Sequence, residues 1–382
     1  MKKVAIVSTG HPPFDERIFN KIGMSLTKSG YDVSVIVTTE KIDRKISSIN
    51  FKGIDSSGFG RFREKFKFII RELKNFNPDV IINCEPIPVL ISYFFTLLQR
   101  KIKPAKIIYD VTEWYPDNIF LKRKGLKRIL LFIGGHIINF LATNFSDYLF
   151  IGEETKVNRY RKYSPKKKFS IISYYPVLDY YNQSTRKVEN KEIFFGYAGV
   201  ISVSRGLEIF YRLIGELNKK LPDYKFGFIL AGRFESPAEK IYLQKFESLG
   251  IKFNYYDWTS YENFSRYLEP VHICLDIRPP NKIYERSLPI KIFDYMALGK
   301  CIIASNYEPI KNVFEIANCG ILVNPKDFDE IISKTIELIN EPEKIFNYGL
   351  NARISAERLF NWKICEEELL RVFREGLFKS NF

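Results

Sequence analysis

The chain of 382 residues holds only three histidines, His11, His136 and His272, and five cysteines. The cysteines, Cys84, Cys274, Cys301, Cys319 and Cys365, are far apart, and no C-x-x-C pair occurs. That spacing excludes a Cys/His metal cluster and a disulfide-stapled scaffold, and leaves free thiols in a reducing cytoplasm as the simple account. No G-x-G-x-x-G follows the first strand pattern, so a nicotinamide dinucleotide site is not indicated. No uninterrupted apolar run reaches the roughly 18 residues that a membrane-spanning helix needs. The apolar part of residues 1–7 is too short for a signal peptide and reads as a first strand. Acidic residues are scarce in the first half alone. Residues 1–180 hold 17 Asp+Glu against 31 Lys+Arg, a balance of +14, whereas the remainder holds 27 against 28. Such asymmetry points to an anionic partner of the first half: nucleic acid, an anionic membrane or an acidic substrate.

Apolar residues are plentiful. They make up 46% of the chain, with 33 Phe and 23 Tyr, enough for two well-filled cores. The order of patterns is strand, helix, strand. Residues 3–8 read as a buried strand, 9–15 as a loop, 16–29 as a helix and 31–38 as a second strand, a βαβ opening whose first turn is the usual ligand position of a doubly wound sheet. Residues 61–74 read as an amphipathic helix, with Phe62, Phe66, Ile69, Ile70 and Leu73 on one face and six cations on the other. Strands follow at 80–83 and 106–109. They deliver Glu85, then Asp110, Thr112 and Glu113, to one sheet edge. Residues 121–128 form a basic run. The 14 apolar residues after it, 129–142, are too short to span a bilayer comfortably. They read as a buried helix, with a helix half-embedded in a membrane surface as the alternative. The pattern restarts at 193–198, followed by a Gly199 loop and the cation Arg205, a combination suited to a diphosphate. Further strands are expected at 224–230, 251–255, 271–275 and 321–324, and helices at 327–340, 343–359 and 362–378.

The most informative stretch is 289–305, PIKIFDYMALGKCIIAS. Pro289 suits a first helical turn, Ile292, Phe293 and Met296 give an apolar face, Gly299 fits a left-handed helix end, and residues 301–304 form a buried strand. This stretch resembles the donor-site signature of the retaining GT-B glycosyltransferases of family 4. Asp294 stands where that family has Glu, and Lys300-Cys301 replaces a small residue and Pro-Val. The loop around Gly10, His11, Asp15 and Glu16 resembles the opening of the same family, and Ala231-Gly232 resembles its A-G strand end. Val200 and Arg205-Gly206 lie where the family's G-R-x-x-x-x-K-G loop carries two cations, so one cation is missing. Thr112 replaces a His that lies over the donor sugar in relatives, and the first member of the family's acidic pair would fall on Arg286.

The resemblance implies GT-B, two Rossmann-like doubly wound domains facing a cleft. The first would span 1–178, completed by the helix 362–382, and the second 179–361. It implies a retaining, metal-independent transferase that takes a nucleotide-diphosphate sugar as substrate and uses no cofactor. Gly10, Gly199, Arg205, Gly232, Tyr256, Pro289, Ile290, Lys291 and Asp294 would bind the donor, with the base near Tyr256 and Trp258. His11, Asp15 and Glu85 would meet the acceptor. Thr112, Glu113, Arg205 and Lys291 would serve the reaction. The acceptor would be a sugar or lipid-linked sugar in surface polysaccharide or glycolipid assembly. The place of action would be the cytoplasm, at the inner face of the membrane, with no nucleic acid bound. Two other readings stay open. A GT-B sugar-nucleotide 2-epimerase would need cleft carboxylates and histidines. A basic nucleic-acid- or membrane-binding protein without transferase activity would explain the charge but leaves the 289–305 pattern without a role.

Overall fold

The computed structural model describes residues 1–56, 61–99, 104–120, 125–257, 260–261 and 263–377, so the basic stretch 121–124 and Trp258 lie outside the described residues. The chain divides into two compact units, Met1–Tyr174 with Trp362–Phe382, and Tyr175–Asn361. The division falls at Tyr174, a few residues before the boundary expected at 178, because Tyr175 packs its ring on Phe293 and Phe360 of the second unit.

The first unit contains β1 (Lys3–Ser8), a π-type helical segment Glu16–Gly23 running into α1 (Met24–Lys28), β2 (Asp32–Val37), β3 (Thr39–Ile46), β4 (Ile49–Asp55), α2 (Phe62–Phe76), β5 (Val80–Asn83), α3 (Pro86–Leu98), β6 (Lys106–Val111), α4 (Asp117–Phe120), α5 (Leu126–Phe145), β7 (Tyr148–Ile151), α6 (Val157–Tyr163) and β8 (Phe169–Ile171). Its sheet runs β3-β4-β2-β1-β5-β6-β7-β8, parallel except for the β3–β4 hairpin. Val, Ile and Phe fill both faces of the central strands, as a sheet covered on both sides requires. Chain order reverses at β1, which pairs with β2 on one side and β5 on the other. Loops after β1 and β5 therefore share a topological switch point.

The second unit repeats the plan with β9 (Glu192–Ala198), α7 (Leu207–Lys220), β10 (Lys225–Ala231), α8 (Ile241–Glu247), β11 (Lys252–Tyr256), α9 (Phe264–Tyr267), β12 (Ile273–Asp276), α10 (Ile290–Ala297), β13 (Cys301–Ser305), α11 (Glu308–Ala317), β14 (Gly320–Val323), α12 (Phe328–Ile339) and α13 (Pro342–Arg358). The all-parallel order is β11-β10-β9-β12-β13-β14, with the switch at β9. After α13, α14 (Trp362–Arg371) belongs to the first unit, where the Trp362 indole donates to Ser25 Oγ at 2.9 Å.

Two expectations are corrected. The segment 129–142 is not a buried helix. It lies in the 20-residue α5, of whose apolar window 128–145 only 17% is buried. The residues of α5 that face inward are Asn139, Ala142 and Thr143, whereas Leu130 is 66% exposed. On α2, Phe62 is exposed as well, while Phe68, Ile69, Ile70 and Leu73 carry the buried face.

Lys300, the departure after Gly299, is fully buried. Its Nζ donates to the carbonyls of Ser184, Glu269 and Val271 at 2.6, 2.9 and 2.7 Å. Burial lowers its pKa to about 8. The lysine thus ties the segments around Ser184 and 269–271 to the start of β13. Lys300→Met should cost about 3 kcal/mol in urea unfolding, because three buried carbonyls lose their donor. A loss below about 1 kcal/mol would show that water replaces it.

Candidate functional site

In the second unit, the loops at the carboxyl ends of β9, β10 and β12 meet the start of α10. Gly199 follows β9 at φ +126°, and Gly232 follows β10 at φ +134°. A Cβ on Gly232 would lie 1.8 Å from the Gly199 carbonyl, so only glycine lets the two loops touch. A Cβ on Gly199 would lie 3.1 Å from Lys291 Nζ. Pro289 stands at the N-cap of α10, and no side chain caps the first turn that begins Ile290-Lys291. The uncapped N–H groups and the helix dipole favour an anion there.

Lys291 reaches back over this turn. Part of its stem meets solvent, but Nζ is buried without a hydrogen-bond partner, 3.7 Å from the Tyr197 ring centroid. Burial pushes its pKa well below the usual lysine range. Asp276 and Asp294 oppose that shift, and Arg278 and Arg205 add to it. Two more polar atoms of the cluster, Arg205 Nε and Asp276 Oδ2, are also buried without a partner. The other Asp276 oxygen accepts from Arg278 Nε at 2.9 Å. Native interiors rarely leave several neighbouring polar atoms unsatisfied, so the cluster is shaped for a polar guest. Lys291, Arg205 and Arg278 around it favour an anionic guest.

The other expected donor residues are placed as follows. Asp294 is buried and accepts from the Tyr181 hydroxyl at 2.6 Å. Tyr256 ends β11 and stacks on Tyr267, with ring centroids 4.2 Å apart. Arg205 closes a 3₁₀ turn, Val203–Arg205, before Gly206 breaks the chain into α7. Tyr197, Asp276 and Arg278 join the site beyond the residues expected from the sequence. Asp276 carried a usable signal, a carboxylate at the end of an apolar strand, the same signal that marks Glu85.

In the first unit, Glu85 lies at the switch point. It accepts from Ser8 Oγ at 2.6 Å and from the N–H groups of Thr9 and Gly10 at 2.9 and 3.1 Å. His11 lies between Asp15, at 3.2 Å, and Glu85, at 3.6 Å. Asp15 caps the following helical segment by accepting from the N–H groups of Arg17 and Ile18. Arg17 makes a two-pronged ion pair with fully buried Asp110, at 2.7 and 2.6 Å. Thr112 is buried, and its hydroxyl donates to the Cys84 carbonyl at 3.3 Å. Glu113 is exposed, and its charge reaches His11. Gly10, His11, Asp15, Glu85 and Glu113 thus form one polar cluster. Thr112 borders it with its hydroxyl already engaged. Among the described residues no group of three His, Cys, Asp or Glu has metal-binding geometry, and the five cysteines are free and buried.

Burial pulls the His11 pKa down, but the hydrogen bond and charge of Asp15, with Glu85 and Glu113, raise it to about 9. A raised folded pKa means that its contribution to stability is complete below the unfolded value near 6.5 and is lost as pH climbs through about 9. The stability difference between the parent and His11→Asn should therefore shrink from pH 6 to pH 9.5. A constant difference would mean that His11 stays neutral.

Residues 181–355 match the family model described as Glycosyl transferases group 1. A Haemophilus influenzae protein described as an uncharacterized glycosyltransferase is 25% identical over 379 residues, covering 96% of this chain and 99% of its own. Sucrose-phosphate synthase from Thermosynechococcus elongatus superposes with a TM-score of 0.76 at 12% identity, over 100% of both chains. WaaG, a glycosyltransferase involved in lipopolysaccharide biosynthesis, gives 0.71 at 12% identity, over 98% of this chain and 100% of its own. HepE of Anabaena, solved in complex with UDP, gives 0.70 at 13% identity, over 98% and 100%.

Proposed function

We propose that this chain, a glycosyltransferase of GT-B fold, takes its sugar from a nucleoside-diphosphate sugar and grips the diphosphate in the second unit around Lys291. The observation that carries the reading is the buried, unpartnered ammonium of Lys291 at the uncapped start of α10, with Arg205 Nε beside it also unpartnered. Uridine is the first nucleoside to test, since HepE, of like fold, has been solved with UDP and with UDP-glucose.

Leaving-group stabilisation is the chemistry such a site supplies. As the sugar–oxygen bond breaks, negative charge grows on the diphosphate. Cations and N–H groups already in position stabilise it more in the transition state than in the ground state. Lys291, Arg205 and the first turn of α10 have these roles. Asp294 takes ribose hydroxyls, and Tyr256 lies near the base. In the first unit, Glu85, His11 and Asp15 are hydrogen-bonding groups for the acceptor's hydroxyls, with Glu113 and Thr112 at their edge. Transfer proceeds with retention of the anomeric configuration, as in family 4, and without metal. The acceptor is a sugar or lipid-linked sugar of surface polysaccharide or glycolipid assembly.

Arg205→Ala should weaken UDP binding by about 1.5–3 kcal/mol in calorimetry, the scale of a charge-assisted hydrogen bond, and Asp294→Asn by less. With the natural acceptor, transfer should survive EDTA, and NMR of the product should show the donor's anomer. Inversion, or strict dependence on added divalent metal, would remove the family-4 mechanism while leaving the nucleotide site intact.

A further inference from the structure

The geometry points to α5 as a membrane-docking ridge: the first unit lies on an anionic lipid surface with the exposed apolar side of this helix sunk among the headgroups and acyl ends. Residues 128–133 are exposed at six consecutive positions, so around this part of the helix the other described residues give little cover. Further along, exposure narrows to a stripe. Leu130, Ile133 and Ile137 are 66%, 52% and 54% exposed and follow one another at helical spacing. A run of large apolar side chains this exposed marks an interaction surface.

The occupant is a bilayer rather than a second copy because of charge. Residues 125–168 carry 9 Lys+Arg and 3 Asp+Glu, and α5 itself holds no acidic residue. The helices α2, α3 and α5 pack side by side, and α2 presents exposed Arg63, Lys67 and Arg71. Near the far end of α5, Lys166 and Lys168 are exposed too. An apolar ridge framed by cations suits a surface of anionic headgroups over hydrocarbon, and two like-charged copies would repel there.

A surface position, not a span, follows from the inner side of α5. Its 20 residues reach about 30 Å, long enough to cross a bilayer. Yet Asn139 is fully buried, accepts from the Tyr109 hydroxyl at 2.9 Å and donates to the Tyr115 carbonyl at 3.1 Å. Tyr93 of α3 stacks on Phe145 at 4.3 Å. These contacts fasten the second half of the helix to its unit, and a span would break them. The inference is independent of the nucleotide site.

Sedimentation with vesicles tests it, using pure phosphatidylcholine and phosphatidylcholine containing phosphatidylglycerol. The parent should sediment with the anionic vesicles at about 50 mM salt and keep part of that binding at about 500 mM, because attraction between charges is screened and apolar insertion is not. Leu130→Ser/Ile133→Ser/Ile137→Ser should lower partitioning at high salt by about tenfold or more, with an unchanged melting temperature as the control for folding. Lys166→Glu/Lys168→Glu should lose binding mainly at low salt. Ile133→Trp should shift its emission to the blue on addition of anionic vesicles. The idea is overturned if the parent stays in the supernatant at low salt, or if the triple variant sediments like the parent. An unmoved Trp emission, or a lipid-free dimer that the triple variant dissociates, overturns it as well.

Discussion

Lys291→Met should raise the stability of the ligand-free protein and, in the same variant, remove most of its affinity for UDP. The ammonium is desolvated without a hydrogen-bond partner, a state that costs free energy and that only the Tyr197 ring face partly offsets. An apolar side chain of similar length avoids that cost, so the gain should be about 1 kcal/mol. The loss in UDP binding should be about 1.5–3 kcal/mol, a factor of roughly 10 to 150. Melting curves with and without UDP read both effects: a higher midpoint without ligand, and a smaller shift with it. Both effects depend on pH in a stated direction. Between the lowered folded pKa and the usual value near 10.5, the unfolded chain binds more protons at this residue. Its unfavourable contribution therefore fades as pH rises through that window. UDP needs the charged form, so affinity should fall over the same window, and binding should take up a proton. A variant that melts lower than the parent and still binds UDP fully would show that Lys291 is a packing residue.

Asp110→Leu should be among the most destabilising single changes in the first unit, at about 3–5 kcal/mol. Asp110 is fully buried and holds both prongs of Arg17, which is itself 1% exposed. Removing the carboxylate strands a guanidinium that cannot shed its proton. Arg17 stacks over Tyr174, at 4.4 Å from the ring centroid; burial works against its charge, and the Asp110 carboxylate outweighs that cost and keeps the guanidinium charged. Arg17→Met/Asp110→Leu should recover much of the loss, because a well-packed apolar pair avoids both desolvation costs. Denaturant unfolding of the two variants decides this. A double variant no more stable than Asp110→Leu would mean that packing, and not charge, sets the loss.

Legibility in the sequence varied with what each residue's surroundings contribute. Strands buried on both faces, such as β1, β5, β9 and β13, announce themselves as unbroken apolar runs, and the residue after each marks a sheet end. The hairpin β3–β4 gives no such signal. β3 carries a nearly continuous polar surface, and its turn uses Ser47 and Ser48 at φ 48° and 68° instead of the Asn-Gly that would advertise it. The exposure of α5 is hidden in the sequence for a different reason. Hydropathy measures what a helix is made of and not what covers it, and only packing shows that Leu130 and Ile133 face outward. The cluster of Tyr197, Asp276, Arg278 and Lys291 draws on three separate segments. Its members look ordinary one by one, and their unsatisfied atoms exist only in the assembled unit. Lys300 in place of a small residue likewise has its reason in three carbonyls distant in sequence.

The most direct test of the central claim is calorimetry of uridine, UMP and UDP against the intact protein. A site built around Lys291, Arg205 and the open start of α10 draws its affinity from the diphosphate. UDP should therefore bind at least tenfold tighter than UMP, with uridine weaker still. If GDP replaces UDP without loss, the diphosphate claim stands and the base preference is open. If UDP and GDP bind no more tightly than uridine and guanosine, the buried ammonium does not hold a diphosphate, and the donor site assigned to the second unit is contradicted.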